Sequence, residues 1–168
     1  MTTLYLVRHG ETEDNVNKIM QGQTQGRLTE NGREQARVLS LQMQDEKIDA
    51  FLSSDLRRSF ETCEIIARPH GLPVVSTPLL RERDWGSFTG RYIPDQQDVP
   101  WTDDIETMGE MRERASRFLQ FVRREYPDKK VLAVGHGIIN KVIQSVFFRK
   151  PVHEVERMMN CEVRILNL

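Results

Sequence analysis

The chain has little cysteine, almost no net charge and no long apolar run, and each shortage narrows what it can be. Its two cysteines, Cys63 and Cys161, stand alone without a CxxC pair. They read as core thiols in a reducing compartment rather than as a disulfide framework. A formal net charge of −1 gives no surface-wide attraction to nucleic acid or to an anionic membrane, so neither is expected as a partner. The first apolar run, "TLYLV", is broken by Arg8 and His9. It is too short for a signal peptide, and no run elsewhere could span a bilayer. A cytoplasmic, soluble protein is expected. No HExxH, P-loop or GxSxG occurs, and there are no repeats, low-complexity tracts or linkers. A length of 168 residues then predicts one domain, 1–168, that buries a core without staples.

What is present alternates between strand and helix patterns. "TLYLV" reads as a strand. Residues 29–44 put Gly32, Ala36, Leu39 and Met43 on one helical face, with Thr29 as N-cap. "DAFLSS" at 49–54 reads as a strand, and 55–67 as a helix with Leu56, Phe60, Cys63 and Ala67 inward and Asp55 as cap. A third strand falls at 73–76. An irregular insertion with Gly86, Gly90, Pro94 and Pro100 covers 84–104. Residues 105–125 form the longest amphipathic pattern, with Met108, Met111, Ala115, Phe118 and Val122 as core positions. "VLAV" at 131–134 is a continuous apolar run, as in a strand buried on both faces. A helix follows over "GIINKVIQSVFF". The last segment, 161–166, alternates Cys161, Val163 and Ile165 with Glu162 and Arg164, which predicts an antiparallel edge strand. The expected architecture is a three-layer α/β/α sandwich around a mainly parallel sheet.

Ligands in such sheets gather at the carboxyl ends of the strands. There the sequence delivers Arg8-His9-Gly10, then Ser54-Asp55 with Arg58 one turn on, then Gly135-His136-Gly137. Two arginines and two histidines converge on one rim. Arginine grips phosphate through its planar fork. Two arginines also hold a nearby imidazole neutral, which leaves a lone pair able to attack phosphorus. The second histidine stabilises the phosphoryl oxygens. Helix N–H groups after Gly10 and Gly137 are expected on the same anion, with each glycine allowing close approach. A zinc or iron site would want a third ligand and would not tolerate two arginines, so no metal or cofactor is expected. His70, in "RPHGLP", and His153, in "PVHEV", read as a turn residue and a solvated residue.

"LVRHGETEDN" resembles the signature of the histidine phosphatase superfamily, in the branch that includes cofactor-dependent phosphoglycerate mutase. "LTENGREQA", "SSDLRRSFETCEII", "LLRERDWGSFTG" and "VLAVGHGIINKVI" resemble further segments of the family, in the same order. The resemblance implies the α/β/α fold and a phosphohistidine mechanism. It makes His9 the phosphate-accepting nucleophile, Arg8, Arg58 and His136 the phosphate pocket, and Glu82 the proton donor to the leaving oxygen. By similarity with the mutases, Asn15, Gln21, Gly22 and Gly137 line the pocket, although Gln21 departs from the small hydroxyl residue usual there. Mutases carry a longer insertion with extra basic residues after the acid. Here the lysine of that insertion falls on Ile93, and 84–110 holds Arg91 as its single cation among many carboxylates. A short acidic cover lets water reach the phosphohistidine and does not favour a highly anionic substrate. The implied activity is a histidine acid phosphatase-type phosphomonoesterase. Its substrate would be a small-molecule phosphate ester, either a sugar phosphate or a nucleotide-like phosphate such as α-ribazole phosphate. Two alternatives are a phosphoglycerate mutase and a catalytically inactive phosphoryl-binding regulatory module. The sequence does not give the oligomeric state.

Overall fold

The apolar run at 131–134 becomes the central strand, because side chains with no polar face must be covered from both sides. A computed structural model describes residues 1–168. Its five strands are β1 (Thr3–Arg8), β2 (Ala50–Ser54), β3 (Val74–Thr77), β4 (Lys130–Gly135) and β5 (Val163–Asn167), in the order β3-β2-β4-β1-β5. The β1–β4, β4–β2 and β2–β3 pairs are parallel, and β5 joins the edge of β1 antiparallel.

The helices are α1 (Glu13–Asn17), α2 (Glu30–Met43), α3 (Arg57–Ala67), α4 (Met108–Glu125) and α5 (Gly137–Phe148). Strand alternation sorts the core into two halves. Leu4, Leu6 and Ala133 pack with Met111 and Phe118 of α4 and Ile139 of α5. Tyr5, Val7 and Val134 pack with Leu39 of α2 and Cys63 and Ile66 of α3. This is the α/β/α sandwich that the alternation of patterns predicted. No helix is long and apolar enough to cross a membrane.

Several local expectations are corrected. Asp55 does not cap α3, because the Arg81 fork takes both of its oxygens at 2.7 Å. Gln25 serves instead: its side chain accepts from Arg57 N–H at 2.9 Å and its carbonyl from Arg58 N–H at 3.2 Å. Helix α4 starts at Met108 on a Thr107 cap rather than at 105. Ile105 belongs to a small cluster with Met20 and Phe88. In β5 the buried residue is Leu166, which packs on the α4–α5 side, while Ile165 on the opposite face is left exposed.

The 84–104 segment is ordered against the loop after α1. Met20 N–H donates to the Arg91 carbonyl at 2.9 Å, Gly90 N–H donates to the Met20 carbonyl at 2.8 Å, and Ile19 bridges to Tyr92. Short 3₁₀ turns at Gly86–Phe88 and Ile93–Gln96 complete it. Arg83 lies against both Trp85 and Trp101, its guanidinium carbon 5.0 and 4.8 Å from the two rings, which meet each other edge-on at 5.3 Å.

Candidate active site

The parallel register fixes the centre of the site. Arg8 of β1 stands opposite Gly135 of β4, so His9 and His136 leave neighbouring strand ends together. Their ring centroids lie 5.1 Å apart at 64°. His9 Nδ1 is 2.7 Å from the Gly10 carbonyl. A carbonyl only accepts, so that nitrogen carries the proton and Nε2 keeps the lone pair. Burial, then the charges of Arg58 and Arg8, hold His9 well below its ordinary pKa, against the opposing pull of the Gly10 carbonyl. The ring is therefore neutral at neutral pH.

His136 is assigned the same way. Its Nε2 lies 2.9 Å from Ser54 Oγ. That oxygen already accepts from Leu56 N–H at 3.2 Å, and the Ser54 hydroxyl proton has no other acceptor. The hydroxyl therefore donates to Nε2, and the His136 proton sits on Nδ1, which is buried without a partner. Burial, followed by Arg58 and His9, pushes His136 well down too. In that tautomer it offers a neutral N–H rather than an imidazolium.

The arginines are anchored by carbonyls. Arg8 Nη1 donates to the Met158 carbonyl at 2.8 Å. Arg58 donates to the carbonyls of Gly22, at 2.8 Å, and Thr24. The Nε of each is buried and unpartnered. Burial lowers Arg58 to about 10, so it remains charged at neutral pH. Gly26 makes room for it. At φ +74 it takes a left-handed turn, and a Cβ there would sit 2.9 Å from Arg58 Cδ.

Glu82 stands at the N-terminus of α5. Its Oε2 accepts from Ile138 N–H at 3.0 Å, and its Oε1 from Ile139 N–H at 3.0 Å and Arg83 N–H at 2.9 Å. The expectation that these helix N–H groups hold the anion is corrected, since Glu82 occupies them and Gly137 N–H is left over. The N–H of Gly10 is also taken, by Thr62 Oγ1 at 3.1 Å, and α1 is closed by a Thr12–Asn15 capping box. Gly10 approaches protein rather than ligand: a Cβ there would lie 2.5 Å from the Gly32 carbonyl oxygen.

A cavity of about 370 Å³ opens onto this centre. Arg8, His9, Arg58, Glu82, Asn15, Gln21, Gly22 and Gly137 line it, and His136 is buried behind. Asn15 Oδ1 is held by Thr12 N–H at 3.1 Å, and Gly22 contributes its carbonyl to Arg58. Gln21 is buried in the wall with Oε1 unpartnered. Asp84 lies outside the lining. So do His153, which is exposed, and His70, whose ring packs 5.0 Å from that of Phe51.

The sequence reading missed part of the wall. Trp85 and Ile93 come from the irregular segment, and Lys141 and Arg157 are two further cations. Lys141 is four residues after Gly137 on α5, so helical spacing could have found it. Arg157, before β5, carries no such signal. Arg91 turns onto the Phe88 ring at 4.5 Å instead of into the cavity. The 84–110 interval thus contributes no cation to the cavity; the further two enter from α5 and from the segment after it.

The sequence profile of the histidine phosphatase superfamily (branch 1) matches residues 4–168. "Uncharacterized phosphatase PhoE" of Bacillus subtilis is 34% identical over 165 residues, covering 95% of this chain and 85% of its own length. "Probable phosphoglycerate mutase GpmB" of Serratia proteamaculans is 32% identical over 179 residues, covering 97% and 83%. The solved structure of Bacillus stearothermophilus YhfR superposes with a TM-score of 0.93 at 28% identity, covering 100% of this chain and 92% of that one.

Proposed function

The chain belongs to the histidine phosphatase superfamily, and from that premise we propose that it is a phosphomonoesterase working through a phosphohistidine at His9. The observation that carries this reading is a set of unsatisfied donors. Arg8 Nε, Arg58 Nε and His136 Nδ1 are all buried without a protein partner, beside the His9 ring. A buried donor left unpaired costs about 1–3 kcal/mol. Three together are explained by an anion with several acceptor oxygens, and a phosphoryl group has them.

In the proposed reaction His9 Nε2 attacks phosphorus as the ester P–O bond breaks. The bonding pair leaves with the alcohol oxygen, which takes a proton from Glu82. Arg8, Arg58 and the His136 N–H hold the equatorial oxygens. Water then attacks the phosphohistidine while Glu82 takes its proton, and His9 departs as neutral imidazole with inorganic phosphate as product. Glu82 Oε2, with one backbone bond rather than two, is the oxygen free to face the leaving group. The reading takes 1–168 as one domain, acting in the cytoplasm without metal or cofactor. Its substrate is a small phosphate ester such as a sugar phosphate or α-ribazole phosphate. The cavity is at the lower end of the roughly 300–1,000 Å³ usual for small-molecule sites.

A second reading, phosphoglycerate mutase, is favoured by the cations Lys141 and Arg157 in the wall. Ile93, an apolar lining residue where the mutase lysine would fall, favours hydrolysis. Product analysis separates the readings. Phosphate release from p-nitrophenyl phosphate and from phosphorylated metabolites supports the esterase. Isomerised phosphoglycerate without phosphate release supports the mutase, and no turnover of either supports the inactive module.

A further inference from the structure

Glu82 stands on chain that no regular element holds. Residues 81–85 belong to no helix or strand and run between 3₁₀ turns at Pro78–Leu80 and Gly86–Phe88. A proton donor must nonetheless be kept within about 0.5 Å of its working position. Two side chains outside the cavity lining reach this stretch from the α4 side: Arg114 on α4 and Glu106 just before that helix.

Arg114 Nη1 donates to the carbonyls of Leu79, at 3.1 Å, and Arg81. Its Nη2 donates to the Glu82 carbonyl at 3.4 Å and to Glu106 Oε1 at 2.8 Å, and its Nε to Glu106 Oε2 at 3.0 Å. The N–H groups of the guanidinium are thereby all used, and none is left for a ligand. Glu106 ties the chain on the other side of Glu82. Its Oε1 accepts from Asp84 N–H at 3.0 Å, its own N–H donates to the Asp84 carbonyl at 2.8 Å, and its carbonyl accepts from Arg83 Nε at 2.9 Å. The two side chains are largely buried, 14% and 11% exposed. A buried ion pair adds little net stability over apolar packing of the same volume. This one directs its bonds to the residues before and after the acid.

We propose that Arg114, oriented by Glu106, is the positioning residue of the proton donor. It fixes the backbone of 79–84, so that Glu82 keeps Oε1 on the N–H groups of Ile139 and Arg83 and presents Oε2 to the leaving group. The effect on catalysis rests on the phosphatase reading above, whereas the hold on Glu82 does not.

Two readouts test it, on Arg114→Met and on Arg114→Met/Glu106→Gln, which leaves no buried charge unpaired. The first is amide hydrogen exchange without ligand. Glu82 is the acceptor for Ile138 and Ile139 N–H, whereas Asn140 N–H bonds the His136 carbonyl at 3.0 Å inside the helix. Exchange at Ile138 and Ile139 should quicken at least about tenfold relative to Asn140, as expected of a local opening. The second readout is kcat/KM for an alkyl phosphate and for p-nitrophenyl phosphate, with Glu82→Gln run alongside. The alkyl ester should lose about 10- to 100-fold more than the aryl ester, the scale of a catalytic group displaced by about 1 Å. Loss of the Arg114 charge near His136 would act on both esters alike, because both present the same phosphoryl group. Arg112→Met, which on the same helix gives up a bond to Ser145 Oγ, should change neither readout. Unchanged exchange at Ile138 and Ile139, or equal losses on the two esters where Glu82→Gln separates them, overturns the proposal. If exchange quickens but Glu82→Gln does not separate the esters, or no ester releases phosphate, the reading of Glu82 as the acid fails and the hold on it stands.

Discussion

A methyl group added at Gly137 would lie 3.5 Å from Arg8 Nε, an ordinary contact with the protein. It would also occupy the side of Arg8 where the phosphoryl oxygen is proposed to bind. Gly137→Ala should therefore leave the melting temperature at or above wild type, since alanine also favours a helix start over glycine. It should lower kcat/KM about 100-fold, the scale of a misplaced reacting group. Unchanged kcat/KM would mean that the anion binds elsewhere. Glu82 permits a sharper test. Glu82→Gln should slow an alkyl phosphate by about 10²–10⁴ more than p-nitrophenyl phosphate, whose leaving group needs little protonation. It should also cost roughly 1–3 kcal/mol of stability, because an amide cannot accept from both Ile138 and Ile139 N–H as the carboxylate does. Asp84→Asn, outside the lining, should do neither. A leaving-group-dependent loss in Asp84→Asn alone would transfer the acid role there. The two histidines set the pH behaviour. Both are held well below their ordinary pKa, mainly by burial and then by Arg58. The unfolded chain therefore binds protons first, below about 6.5. Stability is full above that pH and falls as pH drops towards the folded pKa values, by at most about 1.4 kcal/mol per pH unit for each ring. Denaturant unfolding at stepped pH should show that slope, reduced in His9→Asn. Among single residues, Arg8, His9, Arg58 and His136 were legible because strand ends announce them. Glu82 was legible only through family resemblance, because nothing local distinguishes it from other carboxylates.

Elements position these groups through close backbone contacts. Gly10 and Gly32 are the clearest case. A Cβ on Gly32 would lie 2.1 Å from the Glu11 carbonyl oxygen, so the first turn of α2 packs directly on the chain that follows His9. Gly32→Ala must separate them. It should destabilise by about 1–3 kcal/mol, the range for overpacking, and should lower kcat as well, because the chain beside His9 moves. A variant that keeps wild-type urea midpoint and kcat would show that the contact is not constraining. The start of α2 was readable because Thr29 caps it as the sequence suggests, its side chain accepting from Gly32 N–H at 2.9 Å. The start of α3 was not. Asp55 has the right chemistry for a cap, but Arg81, distant in sequence, claims it. A helix was expected after Gly10, but the bounds of α1 were not readable, because five residues with no buried side chain give no hydrophobic period. The facing of β5 was only half legible. Alternation gives a period but not which side the helices cover, and Leu166 rather than Ile165 is inside.

At the scale of the molecule, the layer order and the mainly parallel sheet followed from the alternation of patterns, because each apolar face must find a cover. The 84–104 wall did not, since its conformation depends on pairing with Met20 and on the contacts among Arg83, Trp85 and Trp101, which no periodicity encodes. The cations Lys141 and Arg157 in the lining were hidden for a related reason: they are far in sequence from the other lining residues of the 84–104 segment. The sheet brings these parts to one rim with His9 at the centre, and the proposed chemistry requires that imidazole to accept the phosphoryl group. Rapid quenching of the wild-type enzyme during turnover of a ³²P-labelled phosphate ester, followed by peptide mapping under basic conditions, tests it most directly. A base-stable, acid-labile phosphoryl group on His9, absent from an intact but inactive His9→Ala protein, is the predicted result. Label on a serine, aspartate or cysteine, or His9→Ala turning over at the wild-type rate, would contradict it.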